Sequence, residues 1–270
     1  MSGRQRIIPV RRDYNRWVAN QTLEDFALRF TAKGARRWSS LRVAHTALGA
    51  ISFLALEAIG GAVTLSYGFD NAVVAILLVG ALIFATGLPI SYYGVKHGVD
   101  IDLLTRGAGF GYIGSTITSL IYATFTFMLF AIEGSIMATA LKLFFGVPLP
   151  AGYLVSALAV IPLVTHGISW ISRFQLLTQP LWIGLNLLPV AFILWHDRAA
   201  VLDWTRFGGL ATPDAGGFDL QKFGGAASVI LALMPQIGEQ VDVLRFLPAR
   251  PAPGRAARAW WWSLLAAGPG

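Results

Sequence analysis

Residues 224–248, GGAASVILALMPQIGEQVDVLRFLP, place Glu239, Asp242 and Arg245 just after an apolar stretch that Pro235 and Gly238 interrupt. Two further carboxylates stand deep within apolar runs: Glu57, followed by Gly60 and Gly61, and Glu133, followed by Gly134. A carboxylate at mid-bilayer depth costs roughly 2.5–3.5 kcal/mol even on the lenient insertion scale, so it faces a bundle interior or a polar cavity. Proline removes an N–H donor and glycine loosens the backbone, and irregular backbone at that depth must be satisfied by protein or water. In secondary transporters such interrupted helices offer half-helix ends and free carbonyls to solutes and coupling ions. Glu57, Glu133 and Glu239, with Gln236, are therefore the candidate solute- or ion-binding set. Gly60, Gly61, Pro235 and Gly238 are the candidate helix breaks. The competing reading is a packed, proline-kinked bundle whose acids are protonated or hydrogen-bonded between small residues.

The elements that must hold these residues are membrane helices. The chain has 270 residues, 55% hydrophobic and 13% charged, which excludes an ordinary soluble domain. Its formal charge is +7, yet nine of its 21 basic residues precede Trp38. Apolar runs near 20 residues follow, so the charge reads as a topology signal and an attraction to anionic lipid, not as a nucleic-acid surface. Zero cysteines exclude disulfides and thiolate metal sites. No phosphate loop, metal-ligand spacing or nucleophile–histidine–acid arrangement is present, so neither an enzyme nor a metal site is expected.

Residues 1–37 form a basic segment in which Leu23, Phe26, Ala27 and Phe30 recur at helical spacing, with Thr22 as N-cap. This predicts a short amphipathic helix over 22–30, lying on the membrane surface or docked on the bundle. Residues 38–270 form the membrane domain, with six spans expected at 40–66, 71–94, 110–145, 151–169, 174–196 and 223–246. The third is longer than one crossing needs and should tilt. Residues 197–222 read as a long, weakly structured loop, and Arg173 as marking a turn. By the positive-inside rule the N-terminus is cytoplasmic and the protein a multi-pass component of the inner (plasma) membrane. A last apolar run, AWWWSLLAA over 259–267, stops too soon to cross, which is the expectation for a fragment of a longer protein.

The stretch RGAGFGYIGS, Arg106 to Ser115, resembles the R-x-x-x-F-G-x-x-G signature, followed by Ser or Ala, that opens the third helix of nucleobase–cation symporters. These are the purine/cytosine permeases and the hydantoin and thiamine-precursor transporters. Gly87-Leu88-Pro89 is similar to a Gly-Ile/Leu-Pro element of their second helix. IGEQVDVLRFLP resembles the end of their sixth helix, with Asp242, Arg245 and Phe246 matching and Glu239 and Val241 standing where the family has Asn and Pro. The resemblance covers about 38–250. It implies a leucine-transporter-type bundle of two inverted five-helix repeats, of which this chain holds the first and the start of the second. It implies cation-coupled transport of a small polar or heterocyclic solute, with Na+ or H+ as coupling ion and no other cofactor. The family's substrate-contacting Trp and Gln align with Leu129 and Glu133, so the indole that stacks on a nucleobase has no counterpart at that position. The forms RRDYNxWVANxTLED and QIGEQVDxLRF are also similar to the transporter-like N-terminal region of bacterial hybrid sensor histidine kinases. That alternative makes the domain a solute sensor passing its state to downstream cytoplasmic signalling domains. An inactive truncated product is the third reading.

Overall fold

A computed structural model describes residues 30–31, 34–248 and 254–267. The amphipathic helix expected over 22–30 lies outside these residues except for Phe30. All secondary structure among the described residues is helical. In chain order the helices are α1 (Ser40–Ala50), α2 (Leu54–Tyr67), α3 (Phe69–His97), α4 (Ile101–Thr105), α5 (Gly111–Phe145) and α6 (Leu149–Thr165). Then come α7 (Ile168–His196), α8 (Arg198–Arg206), α9 (Leu220–Leu231), α10 (Glu239–Leu244) and α11 (Arg255–Ala267). A π-helical turn, Arg106–Phe110, joins α4 to α5, and a 3-10 turn, Met234–Gly238, joins α9 to α10.

Three of these units, α3, α7 and the run Ile101–Phe145, are long and apolar enough to cross a membrane. The count rises to five if the pairs α1–α2 and α9–α10, bent by 53° and 45°, are each one span. The chain is thus a helical membrane protein, and its outward side chains fit that solvent. Phe144 is 84% exposed, Leu177 80% and Ile113 76%, a surface that lipid, not water, would cover.

Two apolar cores lie one toward each end of the bundle. At the basic end, Trp38, Val43, Val95, Leu244, Phe246, Trp260 and Leu264 pack together, joining α1, α3, α10 and α11. At the loop end, Val63, Ala72, Ala75, Val79, Ala226 and Ile230 join α2, α3 and α9. α3 runs through both. The bent spans meet side by side: α1 packs on α10 and α2 packs on α9. Close approach depends on Gly94 in α3, where a Cβ would stand 2.6 Å from Val241 Cγ1 of α10.

The basic end is tied by specific bonds. Trp38 stacks on Phe246 at 4.7 Å, and its N–H donates to Phe246 O at 3.2 Å. Arg36 Nε donates to Leu247 O at 3.1 Å, and its Nη2 to Val95 O. Burial lowers the pKa of that guanidinium. Trp260 Nε1 of α11 donates to Pro248 O at 2.9 Å.

Three expectations change. α7 begins at Ile168, so Arg173 lies within the helix and marks no turn. Residues 197–222 are well organised: Asp197 accepts from Ala200 N–H at 3.0 Å and starts α8, whose Trp204 meets Phe69 edge-on at 4.8 Å. Beyond α8, Leu210 N–H donates to Leu65 O at 2.8 Å and Lys222 Nζ to Gly208 O at 2.8 Å. Finally, Gly60 and Gly61 lie inside α2, and the first span bends earlier, at residues 51–53.

Candidate functional site

The bend of the first span has a local cause and remote supports. Ser52 Oγ donates back to Leu48 O at 2.6 Å, the kind of side-chain bond that competes with helix continuation. Phe53 is then extended, at φ −143° and ψ 147°, and α2 restarts at Leu54. Phe53 occupies the N-cap of α2 but has no side-chain acceptor for the first-turn N–H groups. The acceptor comes from another helix: Ala55 N–H donates to Glu133 Oε1 of α5 at 2.6 Å. A carboxylate on the first turn of a helix gains from both the hydrogen bond and the helix dipole.

The other side of the bend is held by α7. Arg42 Nε and Thr46 Oγ1 of α1 donate to Ser172 Oγ at 3.0 and 2.8 Å. Gln175, with its amide oriented to serve both partners, donates to Thr46 O and accepts from Ala50 N–H at 3.2 Å. Gln179 Nε2 donates to Ser52 Oγ at 2.7 Å, inside the bend itself. Ser172, Gln175, Gln179, Trp182 and Asn186 recur at alternating three- and four-residue steps, so they form one polar stripe along α7. α1 runs along that stripe, whereas α2 turns away to α3, α5 and α9. The bend therefore divides α7-bound from α5-bound halves of one span.

The sixth span breaks after Leu231. Pro235 lacks the N–H that would reach the Leu231 carbonyl, and the chain passes through the 3-10 turn before α10. Gly238 is buried because a Cβ there would stand 2.6 Å from Ile101 Cγ1 of α4. Glu239 opens α10 and is half-buried. Asp100 caps α4, accepting from Leu103 N–H at 2.8 Å, and pairs with Arg245 Nη1 at 3.5 Å with both side chains buried. Asp102 accepts from Ser119 Oγ, and Arg106 Nε donates to Ser115 Oγ at 3.2 Å. The resemblance motif residues Arg106, Asp242 and Arg245 thus join α4, α5 and α10 at the basic end.

The chain matches no protein-family model, no curated protein and no solved structure.

The three acids singled out in the sequence stand on three elements, Glu57 on α2, Glu133 on α5 and Glu239 on α10. Glu133 serves the N-terminus of α2, whereas Glu239 stands at the break of the sixth span, on an element that packs on α1, α3 and α4. Glu57 lies in the first turn of α2 and is exposed. Among the described residues no group of three or more His, Cys, Asp or Glu could hold a metal ion. Leu129 lies one turn before Glu133 on the same face of α5, half-buried, and Gln236 sits half-buried in the 3-10 turn. Sequence reasoning missed Ser52 and the α7 stripe. The stripe's signal was present, since polar residues at heptad-like spacing in an apolar helix must face protein.

Proposed function

We propose that this chain is a permease-like membrane domain that binds a small polar or heterocyclic solute beside the bend of its first span. The observation that carries the reading is the pair of bent spans packed together, one of them with Glu133 on the N-terminus of its second half. A half-helix end at a bend offers N–H donors, and Glu133 offers an acceptor, so a neutral solute with both kinds of group fits better than an anion. The two-fold interruption favours a leucine-transporter-type arrangement, with Na+ or H+ as the coupling ion. A cytoplasmic N-terminus in the inner membrane follows from the same reading of the basic segment.

A second reading, a solute-sensing input domain, draws support from the seating of α11 on α1, which ties the bent span to the last described helix. Both readings begin with solute binding, so one experiment tests them. The purified protein is melted with cytosine, adenine or hydantoin in excess. Saturation at about 100 times Kd should stabilise by about 2.7 kcal/mol. One of the three should raise Tm in the wild type and fail to do so in Glu133→Leu. No shift with any of them, in either protein, would overturn the nucleobase-like assignment.

A further inference from the structure

An open apolar groove of about 580 Å3 lies at the basic end, between the last turns of α3 and the α4–π-turn segment. Its walls include Phe30 at the end of the N-terminal segment, Pro89, Ile90, Tyr93, Leu104 and Ala108. Gly107 and Ala108 leave one wall without large side chains, and the chain kinks at Gly109, at φ 112°. The groove's rim carries one lysine and one imidazole. His97 lines it and stacks on Tyr93, and Lys96 Nζ stands 5.6 Å from the Tyr93 ring centroid. Among the described residues no carboxylate lines it, and Asp100 and Asp102 are engaged elsewhere, Asp100 with Arg245 and Asp102 with Ser119.

We propose that this groove binds one anionic phospholipid, its acyl chain along Ile90, Leu104 and Ala108 and its phosphate at Lys96 and His97. An apolar trough on the surface of a membrane helix bundle meets acyl chains, and a lysine at its rim selects among headgroups. Tyr92 and Tyr93 meet edge-on beside the rim, and amphipathic rings of this kind settle at the membrane interface. The site is separate from the bend of the first span and does not depend on what solute that bend takes.

The test uses the whole chain, delipidated in detergent, with lipid retention followed by native mass spectrometry and stability by thermal melting. Phosphatidylglycerol should be retained and should raise Tm, whereas phosphatidylcholine with the same acyl chains should do so more weakly. Soluble glycerol phosphate should have no effect, because the acyl chain is required. Lys96→Gln, at an exposed position, should weaken phosphatidylglycerol retention roughly fivefold. Leu104→Trp should fill the groove and reduce retention of both lipids. Equal retention of the two lipids by the wild type overturns the proposal, as does undiminished phosphatidylglycerol binding by Leu104→Trp. Complete disulfide formation between cysteines placed at 26 and 90 in native membranes would also overturn it, by assigning the groove to the N-terminal segment.

Discussion

Glu133 of α5 and the backbone N–H of Ala55 lie 2.6 Å apart, so one helix supplies the cap that another lacks. This contact links α5 to the loop-end half of the first span at the residue where that half begins.

Replacing Glu133 separates the parts of this contact. Glu133→Gln keeps the shape and an acceptor and loses only charge–dipole attraction, about 0.3–1 kcal/mol. Glu133→Leu leaves Ala55 N–H without its partner and should cost about 1–3 kcal/mol. Thermal melting in detergent ranks the three proteins. Identical melting of wild type and Glu133→Leu would show that the contact carries no stability.

The bond between Gln179 and Ser52 is suited to a double-mutant cycle. Interhelical hydrogen bonds in membranes average about 0.6 kcal/mol and reach about 1.7. Gln179→Leu and Ser52→Ala should therefore show coupling in that range when unfolding is measured for both singles and the double. Strict additivity would count against a direct bond.

Arg245 and Asp100 form a buried pair, so removing one partner strands the other's charge. Arg245→Met should cost about 3–5 kcal/mol and reduce the yield of monodisperse protein. Adding Asp100→Asn should recover part of the loss, because the uncompensated carboxylate is gone while a capping acceptor for α4 remains. A double variant worse than Arg245→Met would refute this account.

Orientation is open to direct labelling because the chain has no cysteine of its own. Asp214→Cys, in the exposed segment after α8, should react with an impermeant thiol reagent in intact cells. Arg37→Cys should react only after permeabilisation. The reverse pattern inverts the topology.

The apolar runs of the spans were legible because length and hydropathy alone specify a helix in hydrocarbon. Pro235 likewise marked the break in the sixth span, since a missing donor acts locally. The first bend was misplaced for a non-local reason. Gly60 and Gly61 loosen the backbone, but nothing nearby requires them to bend, and a Cβ at either would meet no atom within 4 Å. The chain opens instead at Ser52, where Gln179 and Glu133 arrive from two other helices to satisfy the freed groups. Those partners are more than 70 residues away in sequence, which no window on the first span reveals.

Asn71 uses both ends of its amide on the segment that returns from α8, donating to Gly217 O at 3.2 Å and accepting from Asp219 N–H at 2.8 Å. It sits at the start of α3, directly after α2, and Asp219 is the N-cap of α9. Together with the Leu210–Leu65 bond, this yokes α2 to α9. Swinging one of them about its bend drags the other, so the two hinges offer a single degree of freedom where two separate kinks would offer two. Cutting that yoke with Asn71→Leu would let each hinge move by itself.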